Sequence, residues 1–307
     1  MEGMQEEGGP SVLGGELDQL RQALERRLEA LGPAAERRRR LEAVGTIRRI
    51  RPRLPAGQRW AGADGSRVLV GDPYPYVVEF YRALARDTQG GEVRLERVRS
   101  PLADPEVEDG EEGRRQALAR LELEAARRLV EERRPDVLLL DGGLLSFAAQ
   151  GGEAWEALAQ AADAAGTLVA GVIEDIATRE LGGRIGLGIP AHDREVLHDV
   201  LQPGEALIVG PEAGIKRGLA TAFVRWGVHP RPTAVDVREK DAGRLGDLLD
   251  AMAPLVLPEG RGIPLWLDLI DHDVRIRAEE AERLLEARLG PGLYHAWLRP
   301  LRQQRAL

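Results

Sequence analysis

The chain has 307 residues, 43% hydrophobic and 31% charged, enough for one large domain or two modest ones. Its 43 basic and 51 acidic residues give a formal net charge of -8, so a uniformly basic nucleic-acid coat is excluded and any polynucleotide contact has to be local. The absence of cysteine excludes disulfides, thiolate zinc sites and cysteine nucleophiles. No apolar run approaches the ~18 residues of a membrane span, and the acidic start carries no secretory signature, so a cytoplasmic protein without membrane contact is expected.

In chain order, residues 1–15 are rich in Gly and Glu and read as a loose tail. From Glu16, the spacing of Leu17, Leu20, Leu24, Leu28 and Leu31 predicts one apolar helix face, stopped by Gly32-Pro33. A second helix is expected to carry Arg37 to Arg40, then Leu41, Val44, Ile47 and Ile50, ending near Pro52 and Pro55. These elements form a helical arm over residues 1–54, ahead of a main domain spanning 55–307. Within that domain Trp60 to Gly71 reads as strand, Gly-containing turn and strand, with the turn at Asp64-Gly65. Val77 to Ala85 either extends this region or begins a short helix, and Glu92 to Ser100 is a weakly alternating strand. Glu111 to Arg134 is a helix with Leu118, Leu121, Ala125 and Leu129 on one face. The continuous apolar run Val137 to Leu140 reads as a strand covered on both sides. Further elements are a helix at Glu153 to Ala164, strands at Thr167 to Ile173, Ala206 to Val209 and Thr233 to Val237, and helices after Pro264 and from Glu279 to Leu289.

Asp64 and Asp141 each follow apolar strand residues and precede glycine. A carboxylate abutting buried aliphatic residues is costly unless it is paired, hydrogen-bonded or bound to a cation; Asp-Gly is also a common turn dipeptide. The helix between them offers Glu122 and Glu124 as a third carboxylate. A fourth group lies in the helix after Pro264, where Asp268, Asp271 and His272 sit close together. Oxygen-only donors suit Mg²⁺ or Mn²⁺, and two such ions can drive phosphodiester hydrolysis.

Gly62-Ala63-Asp64-Gly65-Ser66, the Glu-bearing helix, Leu138-Leu139-Leu140-Asp141-Gly142-Gly143, and Ile263-Pro264 followed by Leu267 and Asp271 occur in the order seen in the NurA nuclease family, which the chain resembles over roughly residues 59–275. The resemblance implies an α/β, RNase H-like (Piwi-related) mixed sheet flanked by helices. It implies a DNA nuclease using Mn²⁺ or Mg²⁺ in a two-metal site, a 5'-3' exonuclease and single-strand endonuclease. It implies a homodimer that works with a hexameric HerA-type translocase in DNA end resection during double-strand break repair. By this likeness the metal-holding catalytic residues are Asp64, Glu124, Asp141 and Asp271. Glu124 follows from spacing, whereas helix phase places Glu122 nearer the apolar face, and His272 adjoins Asp271. Two positions depart from the family: Ile263 stands where members often carry Tyr, and Glu174 where many carry Lys. Arg67, near Asp64, is the expected guide for the strand backbone. The departures motivate an alternative, a non-catalytic adaptor dimer that threads DNA for a translocase.

Overall fold

The computed structural model describes residues 12–71, 73–104 and 110–299. Helix α1 (Val12–Leu31) begins inside the stretch read as a tail and is followed by α2 (Ala34–Leu41). The second helix stops there instead of reaching Ile50. Thr46–Arg49 forms a strand, β1, antiparallel to residues 205–208. Val44, Thr46 and Ile47 are β-branched, and Gly45 lies so close to the Ile208 carbonyl that a Cβ would stand 2.4 Å from it, so strand pairing overrides the three-residue spacing. The expected boundary at residue 55 therefore does not coincide with an edge of the sheet.

Three antiparallel strands follow: β2 (Trp60–Gly71), β3 (Val77–Asp87) and β4 (Glu92–Arg99). β2 runs without interruption through Asp64-Gly65, paired Asp64 to Leu84 and Gly65 to Ala83, where the sequence predicts a turn. β3 resolves the choice between strand and helix over residues 77–85 in favour of strand. Helix α3 (Glu111–Arg133) then leads to β5 (Val137–Asp141). Helices α4 (Leu144–Gly151) and α5 (Glu153–Ala165) precede β6 (Leu168–Ile173), and the short helices α6 (Glu180–Arg184) and α7 (Asp193–Val196) precede β7 (Glu205–Val209). β8 (Leu219–Arg225), β9 (Thr233–Arg238), α8 (Leu245–Met252), α9 (Leu265–Val274), α10 (Ala278–Leu289) and α11 (Pro291–Trp297) complete the chain.

The described residues form a nine-stranded mixed sheet in the order β1-β7-β8-β9-β6-β5-β2-β3-β4. β5 lies parallel to β2 and β6, and the other neighbours are antiparallel. The segment β4-β3-β2-β5-β6 is the RNase H-like arrangement, extended at one side by four strands. Successive side chains alternate between the faces, so Ala61 and Ala63 pack under α3, with Leu121, Leu123 and Leu129, while Trp60, Leu139 and Val172 pack with Leu248, Leu249 and Leu267 on the other face. The buried leucines of β5 each contribute roughly 1.5–3 kcal/mol over an exposed position. Among the described residues no helix is long and apolar enough to cross a membrane.

Candidate active site

The parallel pairing of β2 and β5 runs from Trp60 opposite Val137 to Ala63 opposite Leu140, and β5 ends at Asp141. Asp64 and Asp141 are therefore the next residues along two adjacent parallel strands. β2 continues past this point without β5 beside it, which opens a notch in the sheet. Alternation decides what meets there. Gly62, on the same face as Asp64, lies under Leu267, Ile270 and Trp266 of α9, whereas Gly65 faces α3. A Cβ at Gly65 would stand 2.3 Å from Oε1 of Glu122, so glycine is what lets this glutamate lie against the strand. The site is assembled from both faces of the sheet, around the strand end that carries Asp141.

The electrostatics follow from this placement. Glu122 is 7% and Asp64 9% exposed. Burial, then the charges of Asp64 and Asp141, holds Glu122 well above the ordinary carboxylate range. Burial pushes Asp64 up to about 7, with Asp141 and then Asp271 adding to the rise and the Gly65 N–H and Arg275 opposing it. That N–H donates to Asp64 Oδ1 at 2.7 Å. Asp141 is pushed up to about 6 by burial and by Asp271, with Glu174 and Asp268 adding and Arg261 opposing. Glu122 and Asp64 thus respond to other carboxylates of the group, and Asp141 responds to Asp271, Glu174 and Asp268. None of Glu122, Asp64 and Asp141 is hydrogen-bonded to a basic side chain among the described residues.

Of the residues expected at the site, Asp64, Asp141 and Asp271 come within electrostatic reach of one another. Glu124 does not join them. Its carboxylate is held on the outer side of α3 by Arg127 at 2.9 Å and Arg128 at 2.7 Å, and these hydrogen bonds lower its pKa. Two residues along a helix is a turn of about 200°, and Glu122 takes the place that spacing gave to Glu124. The helix phase carried this signal, since Glu122 lies between buried Leu121 and Leu123 and one turn from Ala119 and Ala126. His272 is 78% exposed and pairs with Asp273 at 3.1 Å, turned away from the cluster. Asp271 is bonded by Arg275 at 2.5 Å. Arg67 pairs with Glu111 on the α3 face.

Both departures have a structural counterpart. Ile263 is buried in the apolar layer with Leu267 and Leu139 and brings no polar atom to the site. Glu174 is bonded by Arg261 at 2.8 Å, and the same guanidinium bonds Asp268 at 2.7 Å. A buried cation does stand behind the Asp141 turn. Lys216 donates to both carboxylate oxygens of Asp236 at 2.6 and 2.8 Å, and Thr221 donates to Oδ1 at 2.8 Å. Asp236 Oδ2 lies 3.6 Å from where a Cβ would stand at Gly143. This group, spread over residues 216, 221 and 236, has no local sequence signature, and sequence reasoning missed it.

Among the described residues no three acidic or imidazole side chains stand together in a closed coordination shell. The fit to a divalent cation rests on Asp64, Glu122 and Asp141, oxygen-only donors at least half-buried and without a bonded counter-cation, whose raised pKa values a bound cation would lower.

An RNase H-like sheet with carboxylates on its first strand, on the helix that follows the three-stranded meander, and at the end of the next strand defines a nuclease domain. The NurA domain family model matches residues 61–276, and the chain belongs to the NurA family. No curated protein matches the chain. Among solved structures, the catalytic domain of human Endonuclease V is similar at 16% identity, covering 86% of this chain and 99% of that one, with a TM-score of 0.39. Endonuclease V from Ciona intestinalis, in complex with an inosine-containing DNA, shows 11% identity over 81% of this chain and 96% of that one, with a TM-score of 0.40. A trimeric exonuclease from Pyrococcus horikoshii shows 14% identity over 59% and 98%, with a TM-score of 0.22.

Proposed function

We propose that the protein is a divalent-metal-dependent deoxyribonuclease whose metal-holding residues are Asp64, Glu122, Asp141 and Asp271, with Mn²⁺ or Mg²⁺ as the cation. The observation that carries this reading is the group of two buried carboxylates, Asp64 and Glu122, with half-buried Asp141 beside them, none with a bonded counter-cation. Retaining them in the core makes sense where a cation compensates them. When bound, the metal supplies an activated water and charge neutralisation at the phosphodiester. The chain's own part is to bind and orient. Gly65 N–H fixes Asp64, Asp141 ends its strand at the notch, and Arg261 and Arg275 bring positive charge toward a phosphate while restraining Asp268 and Asp271.

By family likeness the substrate is DNA, cut by 5'-3' exonuclease and single-strand endonuclease activity in end resection, with a HerA-type hexameric translocase as partner. A homodimer is supported by α1. Leu17, Leu20, Leu24 and Leu28 are 48 to 65% exposed along one stripe, and a groove of about 560 Å³ lies beside Leu24, Leu28 and Leu31. An arm followed by a nuclease unit remains our reading of the chain's division, with β1 as the join.

The test is cleavage of end-labelled single- and double-stranded DNA with Mn²⁺, Mg²⁺ or EDTA, comparing wild type with Asp64→Ala, Glu122→Ala, Asp141→Ala and Glu124→Ala. Metal-dependent cutting that only Glu124→Ala survives is the expected result. The apolar Ile263 favours the second reading, a non-catalytic adaptor. No cutting by wild type, with partner ATPase stimulation intact in Asp64→Ala, would establish it.

A further inference from the structure

On the α3 side, the carboxylates of the proposed metal site border a concave feature whose other walls that reading does not use. Between α3 and α4 lies a cavity of about 150 Å³ that opens on Glu122 and Asp141. Its floor is apolar, formed by Leu118 and buried Phe147, whose ring lies 3.1 Å from where a Cβ would stand at Gly142. Gly142 and Gly143 line the same cavity with backbone alone, and the Phe147 ring packs against Gly142. Three polar side chains stand at the rim. Arg115 pairs only with neighbouring Glu112, at 3.1 Å, among the described residues, while Ser146 and Gln150 are engaged by none of them.

We propose that this cavity is a nucleobase pocket. It takes one unpaired base of the strand whose phosphodiester lies on the carboxylates, with Arg115 on the adjoining phosphate. The inference rests on the nuclease reading for the position of the strand, and on its own geometry for the ligand class. Size decides between base and base pair: the cavity is half the ~300 Å³ at which small-molecule sites begin, enough for one planar ring system and too small for a pair. Chemistry decides for a base. A ring face on the floor is apolar, and the hydroxyl of Ser146 and the amide of Gln150 complement base edges without fixing one sequence. A cation at the rim suits the phosphate joined to that base. The site therefore selects single-stranded or frayed ends over intact duplex.

The test uses the full-length protein with Ca²⁺ in place of Mn²⁺ and single-stranded oligonucleotides carrying 2-aminopurine, or an abasic nucleotide, at successive positions. The expected result is a fluorescence change confined to one position, and a loss of binding of roughly 5- to 100-fold when that same position is abasic, as stacking of one base predicts. Ser146→Trp, an exposed change that closes the mouth, removes both effects, and Arg115→Ala weakens binding equally with a base or an abasic residue at that position. Signals spread over several positions, no signal at any, or a localised signal that survives Ser146→Trp would overturn the proposal. Because the readout is binding, a wild type that binds in this way but does not cut with Mn²⁺ refutes the nuclease reading while the pocket stands.

Discussion

The carboxylate of Glu122 occupies the space that a side chain at residue 65 would fill, so the two positions are coupled although 57 residues separate them. Gly65 is an ordinary strand residue by pairing, and its lack of a side chain is used by the helix above it. Gly65→Ala is expected to push Glu122 off the strand and lower cleavage by roughly 100-fold, the scale on which about 1 Å of misplacement acts. Single-turnover assays, with circular dichroism to show the sheet retained, check this. Wild-type rates in Gly65→Ala would refute it.

The exchange of Glu122 for Glu124 separates site from surface. Glu122→Gln should abolish metal-dependent cutting and raise the melting temperature of the metal-free protein at neutral pH, because the amide needs none of the proton uptake that folding imposes on a carboxyl held so far above its ordinary range. Glu124→Gln should leave cutting within about twofold and cost only the helix pairs with Arg127 and Arg128, roughly 0.3–0.5 kcal/mol each before solvent screening. Thermal unfolding of both variants beside the cleavage assay tests the pair.

Stability of the metal-free protein should fall as pH rises. Asp64 is raised to about 7 when folded, against an ordinary 3.8, so between those values the folded state holds a proton that the unfolded chain has released. The corresponding stabilisation is complete below about 4 and lost as pH passes 7. Asp64→Asn removes this dependence and should be more stable than wild type at pH 8, by roughly 1–2 kcal/mol. A steeper decline in the variant than in wild type would contradict the assignment.

Divalent metal should reverse the same trend. Because binding needs deprotonated carboxylates, Mn²⁺ should raise the melting temperature more at pH 8 than at pH 5.5, and EDTA should cancel the gain. In Asp141→Asn the gain should shrink at both pH values. Scanning calorimetry across the four conditions measures it.

The leucine stripe of α1 predicts oligomeric state. Leu20→Glu with Leu24→Glu should yield a monomer in light scattering with the fold intact, because both side chains are more than half exposed in the single chain. A dimer that persists in this variant would place the contact elsewhere.

Legibility differed by kind of signal. The uninterrupted run Val137 to Leu140 announced a central strand, and the aspartates at Asp64 and Asp141 stood out because each abuts apolar residues. β8 passed unread because Leu219 to Val224 is buried on both faces, leaving no alternation, and its Ala and Thr residues are weakly apolar. Asp64-Gly65 looked like a turn because the dipeptide favours turns; the use of Gly65 by Glu122 is a contact between distant segments. The same reason hides Lys216 with Asp236. Spacing pointed to Glu124, which lies on the outer side of α3, whereas helical phase pointed to Glu122, which lies against Gly65, since phase reports the face that packing buries.

The order in which the acids leave the ribosome has a consequence of its own. Asp64, Glu122 and Asp141 all belong to the β2 to β5 unit, whereas α9, which covers Gly62 and brings Asp271, is made 130 residues after Asp141. At ordinary synthesis rates that is a delay on the order of 10 s. A nascent chain thus carries Asp64, Glu122 and Asp141 before α9 is made to cover them. The wall that α9 supplies is therefore the last part of this notch to be made.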